Sequence, residues 1–268
     1  MTGRLITERD DFRNQVEQLR EDRRESRKAN KRLTRELRRI EGDVESRRHL
    51  RHRRESLDYL FIVTYGRSGS TLLQGIVNSI PGYLIRGENR GALYHLFRYH
   101  ETCRIERKKF SRKVLLDGRH PWFGIDKYPE GLAVQQLREL VLDTLIRPLP
   151  DTRVVGFKEI RWQQPDLAEY VAFLQTLFPK ARFIFNTRAH EDVAKSKWWA
   201  DHPNALKEIQ RIESLQSAIA DDLGTLAYRI RYDDYVADPL VLKDLFSWLG
   251  EDFDPAAVRA VLDQPHSY

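Results

Sequence analysis

The sequence predicts an α/β fold, a three-layer α/β/α domain on a parallel sheet, preceded by a long N-terminal helix that forms a coiled coil. Three observations predict it. The first 57 residues contain no proline, and their apolar residues recur in alternating steps of four and three. From Asp58 onward, short apolar runs alternate with helical patterns, as they do where helices cover a parallel sheet. Pro165, Pro179 and Pro239 fall at the joints between these segments and not inside them. The chain therefore divides into a basic helical arm, residues 1–57, and a globular domain, residues 58–268.

In the arm, Phe12, Val16, Leu19, Arg23, Ser26, Asn30, Leu33, Leu37, Ile40 and Val44 form one seam. With Val16 at heptad position a, Asn30 also falls at a, and Leu19, Leu33 and Ile40 fall at d. A buried Asn at a favours a parallel dimer in fixed register, so a homodimer through the arm is the expectation. Arg23 and Ser26 weaken the seam, and a helix folded back on its own domain stays open. The charge is as unevenly placed as the pattern. Of 46 basic and 40 acidic residues, 18 and 12 precede Asp58, so the net +6 lies wholly in the arm and the domain is neutral. A neutral domain argues against a specific nucleic-acid face. The basic run from Arg47 to Arg54 reads as a solvated hinge, with contact to an anionic membrane surface left open.

A single cysteine, Cys103, permits neither an intrachain disulfide nor a Cys-rich zinc site. No metal-ligand spacing of His, Cys and carboxylates occurs, so no metal is expected. No run approaches the roughly 18–20 apolar residues of a membrane span. The opening MTGRLITERDDF lacks the apolar stretch of a secretory leader, and a cytoplasmic setting is expected.

Within the domain, strands are expected at Tyr59–Thr64, Tyr83–Ile85, Arg153–Phe157, Arg182–Asn186 and Ala227–Arg231. Helices are expected to begin near Ser70, Gly131, Asp166, Glu191, Ala205 and Pro239, with a short one near Pro255. Between Glu101 and Pro129 the pattern is irregular and assigns no element.

The first strand, Leu60–Val63, runs into Gly66, Arg67, Ser68, Gly69, Ser70 and Thr71 and then into an apolar helix. Glycines let the backbone turn so that successive N–H groups point inward, and the helix start adds partial positive charge. Ser70 and Thr71 add hydroxyls and Arg67 a full charge, which makes an anion cradle. An ATP-binding loop places a lysine directly after its last glycine. Here Ser70 follows Gly69, and no lysine occurs from Thr64 to Asn89, so one phosphate fits better than three. The loop is P-loop-like in placement only.

At Thr64–Thr71, TYGRSGST, the chain resembles the sulfotransferases that use 3′-phosphoadenylyl sulfate (PAPS), whose carbohydrate-type members carry P-R-S-G-S-T. Arg188, with Ser196 eight residues on, is similar to the family's R-x7-S clamp on the 3′-phosphate. The segment Arg231–Tyr235 looks like the family's Y-E-D-L segment, which places Tyr232 near the adenine. Gly156–Trp162, GFKEIRW, resembles a segment of bacterial carbohydrate-type members. No R-K-G-x-x-G segment of the aryl-type members is present, which leaves one side of the nucleotide site unexplained.

The resemblance implies PAPS as co-substrate and a hydroxyl of a carbohydrate or glycolipid as acceptor. It puts Arg67, a permanent cation, where the family has its catalytic lysine. Glu88, after Pro81–Gly82, matches the glutamate base of carbohydrate-type members, with His95 and His120 as competitors. Lys158 is expected to touch the transferring sulfuryl group. Glu159, Arg161 and Trp162 are expected to line the acceptor pocket, or else to form an ion-paired strand end. Trp122, Trp198 and Trp199 stack on a sugar face or fill core. A small-molecule kinase is disfavoured by the missing lysine. A coiled-coil adaptor with an inactive domain is disfavoured by the joint presence of Arg67, Ser70, Arg188 and Ser196.

Overall fold

The computed structural model describes Glu25 and residues 31–39, 56–110 and 118–264. The chain forms two units, Met1–Ser56 and Leu57–Tyr268. In the first, residues 31–39 are helical (α1), with Leu33 and Leu37 exposed by 56% and 58%. The rest of the seam, Asn30 included, and the basic run 47–54 lie outside the described residues, and with them the expected dimer and membrane contact.

The second unit carries five strands, β1 (Asp58–Val63), β2 (Tyr83–Arg86), β3 (Val154–Glu159), β4 (Arg182–Thr187) and β5 (Ala227–Arg231). All pairings are parallel, in the order β2-β3-β1-β4-β5. In β1 every residue from Tyr59 to Val63 is buried, which is why the strand reads as a continuous apolar run without alternation. The pleat sends Tyr59, Phe61 and Val63 into one core and Leu60 and Ile62 into the other.

The first core is closed by α3 (Ala92–Phe110), α4 (Glu130–Val141), α5 (Leu167–Leu177) and α7 (Ala205–Leu223). The second is closed by α2 (Ser70–Asn78), α8 (Tyr232–Ala237), α9 (Leu242–Leu249) and α10 (Pro255–Leu262). The short α6 (His190–Ala194) packs on α7. Three layers result; the chain passes from β1 to β2 and β3 on one side, then crosses from β3 to β4 and β5 on the other side of β1. That reversal opens a crevice at the carboxyl ends of β1, β3 and β4.

Two expectations need correcting. Helix α3 has 19 residues where the sequence assigned none, because only Leu93, Phe97 and His100 are buried along it. Three buried positions among charged ones give little periodicity. Ser196, five residues past the expected helix start near Glu191, lies beyond that helix, because α6 stops at Ala194. Among the described residues, no helix is long and apolar enough to cross a membrane.

Candidate active site

The loop after β1 is held by its carbonyl groups. Trp199 Nε1 donates to Gly66 O at 3.0 Å, Arg188 Nη1 to Arg67 O at 3.3 Å, and Asn186 Nδ2 to Ser68 O at 2.8 Å. Gly69 O accepts from Leu72 N at 3.0 Å and from Tyr235 Oη at 3.4 Å. Arg67 and Gly69 adopt the left-handed conformation, with φ of 70° and 77°. For Arg67 this is a strained conformation for a residue with a side chain. With the carbonyls tied outward, the amides of Gly66 to Gly69 find no acceptor among the described residues, and α2 starts at Ser70 with its first N–H groups free by construction. The result is a set of unfilled donors at a helix start, an arrangement suited to an anion.

Two aromatic rings cover the glycines. A Cβ on Gly69 would lie 1.9 Å from Tyr232 Cδ2, and one on Gly66 would lie 2.4 Å from Trp198 Cζ2. Only glycine lets Tyr232 and Trp198 sit this close to the backbone. Ser68 is fully buried, and its hydroxyl meets Thr64 Oγ1 at 2.6 Å, which in turn donates to Asn186 O at 2.7 Å. Its side chain thus braces the loop, while Ser70 and Thr71, whose hydroxyls were expected at the anion, line the cavity.

Arg188 follows β4 and lies with its guanidinium 4.7 Å from the centre of the Tyr232 ring. Its Nε is buried and has no hydrogen-bond partner. A buried, unpaired guanidinium donor costs free energy that an anionic ligand would recover. Arg67 Nε donates to Ser196 Oγ at 3.0 Å, so the four groups of the expected clamps meet in one place. Arg67, Arg188 and Tyr232, with Glu88, line a cavity of about 480 Å³ whose apolar wall is Leu72, Ile160, Trp198, Val236 and Leu262, and Ser196 meets it through Arg67.

Glu88 is opposite the loop, and Lys158 Nζ donates to its Oε1 at 2.6 Å. Arg86, two residues before Glu88, donates to the carbonyls of Ile146 and Arg147 at 2.7 and 3.0 Å. Lys158 is only 4% exposed and does not line the cavity; its link to the site is the bond to Glu88.

Three expected acceptor residues are corrected. Trp162 is fully buried between Phe157 and Tyr170, and its Nε1 donates to Glu159 O at 2.8 Å. Glu159, 3% exposed, turns inward and accepts four backbone N–H groups, from Asn89 and Gly91 on one oxygen and from Ile160 and Arg161 on the other. Arg161 is exposed but outside the cavity. His95 and His120 are exposed and also outside it, Trp122 packs on Phe110, and Trp199 is core; Trp198 is the tryptophan at the cavity.

The sequence reading passed over Asn186, Tyr235 and Tyr65. Asn186 is a fully buried amide in the apolar strand Phe183–Phe185, which was the available signal. Burial pushes the Tyr235 phenol well above its ordinary pKa, so it remains a donor to Asn186 Oδ1 at 3.2 Å. Among the described residues no three His, Cys, Asp or Glu side chains gather as a metal site requires.

Residues 59–255 match the family model described as the sulfotransferase family. The chain belongs to that family. Among solved structures, this sulfotransferase is similar to the sulfotransferase domain of the Synechococcus PCC 7002 olefin synthase, with 18% identity, a TM-score of 0.51 and 79% of each chain covered. It is also similar to the sulfotransferase domain of the curacin biosynthetic pathway, with 17% identity, a TM-score of 0.47 and 78% of each chain covered. A mouse sulfotransferase complexed with PAP matches at 15% identity and a TM-score of 0.41, over 76% of this chain and 62% of that one. No curated protein matches the sequence. At 18% identity the likeness to the olefin synthase domain extends to the fold alone.

Proposed function

We propose that this sulfotransferase moves the sulfuryl group of PAPS to a hydroxyl of a carbohydrate or glycolipid-like acceptor. The observation that carries the reading is the loop with its carbonyls tied outward and its amides free, beside the unpaired Nε of Arg188. One donor set suits the 5′-phosphosulfate and the other the 3′-phosphate. The residues present fit the nucleotide, since apart from Glu88 the polar side chains lining the cavity are Arg67, Ser70, Thr71, Arg188 and Tyr232, each a donor or a hydroxyl.

In this reading Gly66, Arg67, Gly69, Ser70 and Thr71 hold the 5′ end. Arg67 and the loop amides stabilise the charge that grows on the phosphate oxygen as its bond to sulfur breaks. Arg188 and Ser196 hold the 3′-phosphate, and Tyr232 and Val236 flank the adenine. The acceptor oxygen bonds to sulfur, and its proton passes to Glu88, whose Oε2 is free while Lys158 holds Oε1. Trp198, 53% exposed at the rim, offers a face on which a sugar ring can stack.

The test is a thermal-shift panel with adenosine 3′,5′-bisphosphate, ATP and AMP, joined to Glu88→Gln. The bisphosphate should stabilise more than either other nucleotide, as mass action requires of a selective ligand. Glu88→Gln should keep that shift and lose turnover by about a hundredfold or more. Stabilisation by ATP and none by the bisphosphate would overturn the donor. Retained turnover in Glu88→Gln would overturn the base.

A further inference from the structure

Arg188 is held by a residue that does not touch the cavity. Tyr65 follows the buried Thr64 and is itself 1% exposed. Its hydroxyl accepts from the Arg188 N–H at 3.0 Å. Its single proton has two acceptors in reach, Glu213 Oε2 at 2.8 Å and Arg188 O at 3.1 Å. The nearer, charged acceptor makes the stronger bond. Glu213 is fixed in turn, because His190 Nε2 lies 2.8 Å from the same oxygen. One turn along α7, Gln216 Nε2 donates to Thr64 O at 3.0 Å. Helix α7 thus grips the chain where β1 enters the phosphate loop and, through Tyr65, where β4 delivers Arg188.

On the other side, Asp233 Oδ2 accepts from Ala189 N at 2.8 Å, and the neighbouring Tyr232 lies against the Arg188 guanidinium. The backbone at Arg188 is therefore fixed from both sides, while its Nε donor has no partner. Fixed position with unsatisfied donors is the signature of a group arranged in advance for a ligand. Burial, ahead of the Glu213 charge, drives the Tyr65 phenol far above its ordinary pKa, so the hydroxyl keeps its proton throughout the working range.

We propose that Tyr65 and Glu213 are positioning residues for the second phosphate: they fix the Arg188 main chain so that its guanidinium meets the 3′-phosphate without rearrangement. The proposal rests on the donor reading above and deepens it at that subsite.

The test compares adenosine 3′,5′-bisphosphate with AMP, which lacks the 3′-phosphate, by calorimetry on the full chain. Tyr65→Phe should weaken the bisphosphate about tenfold, the loss of one charge-linked hydrogen bond, with AMP changed less than twofold. Glu213→Ala should do the same, Glu213→Gln should recover part of the loss, and the double variant Tyr65→Phe/Glu213→Ala should lose little more than either alone. Equal weakening of both nucleotides would make the pair merely structural and overturn the proposal, as would unchanged bisphosphate affinity. Should Tyr65→Phe fail to fold, the Glu213 variants decide by the same ratio, because that side chain is 32% exposed. Failure of the wild-type protein to prefer the bisphosphate over AMP would instead overturn the donor reading itself.

Discussion

The carboxyl ends of β1 and β4 and that of β3 lie in one crevice and carry similar residue types, yet they do opposite work. After β4, Arg188 keeps a buried donor that the protein does not use, and after β1 the loop amides stay free. After β3, the charged residues turn to internal tasks. Glu159 satisfies four backbone N–H groups, and Lys158 steadies Glu88. A charged residue at a strand's carboxyl end is thus no evidence of a ligand by itself. Unfilled hydrogen-bonding capacity is the better sign, because a fold leaves it unfilled at a cost.

The comparison breaks first at Glu159, where the largest effect is expected. Glu159→Gln keeps the shape but replaces one acceptor oxygen by an NH2 that faces two backbone N–H donors. Losing two charge-assisted hydrogen bonds of about 1.5–3 kcal/mol each should lower unfolding free energy by about 3–6 kcal/mol. Denaturant unfolding measures it, and bisphosphate affinity of the folded fraction should change less than twofold. A loss below about 1 kcal/mol, or a selective loss of affinity, would return Glu159 to the ligand side.

Arg188→Ala sharpens the contrast from the other end. It should weaken the bisphosphate about a hundredfold, roughly 2.7 kcal/mol, while the melting temperature of the free protein moves by no more than about 2 °C. A variant that melts much earlier yet binds normally would make Arg188 a structural residue like Glu159.

How far the sequence showed this difference depends on what each residue needed. All five strands were legible within about two residues, and the central β1, β3 and β4 most plainly, because strands buried on both faces are written as apolar runs. The phosphate loop was legible because its glycines and hydroxyls are adjacent in the chain. Helix α3 was not, since most of its surface is polar and three buried residues leave a faint stripe. Glu159 and Trp162 were misread because nothing local to GFKEIRW says which way a strand-end side chain turns. That is decided by Asn89 and Gly91, about 70 residues earlier, whose N–H groups need an acceptor. Tyr65 and Glu213 were hidden for the same reason, as they meet across 148 residues.

The amino edge of the sheet supplies a control, and the smallest effect. There Arg153, just before β3, donates to Glu251 with Nη1 to Oε1 and Nη2 to Oε2, both at 2.6 Å, and Tyr83 Oη adds a bond at 3.0 Å. The Arg153 fork holds the Glu251 carboxyl below its ordinary pKa, and burial pushes the Tyr83 phenol up to about 12. A carboxylate whose pKa is lowered on folding binds its proton less readily in the native state. Its stabilisation is complete above the unfolded value, about 4.3, and is lost as pH falls through the native one. The Arg153 side chain is 49% exposed, so screening limits the pair to about 1 kcal/mol even with bidentate geometry. Glu251→Gln should therefore cost about 1 kcal/mol in unfolding at pH 7, with the gap to wild type closing toward pH 3 and bisphosphate affinity unchanged. A gap that persists at pH 3 would assign the loss to packing and to the Tyr83 hydrogen bond, not to the ion pair. A similarly bidentate, paired carboxylate would then be worth several-fold less here than at Glu159, because here water competes for both partners and there it is excluded from the four N–H groups.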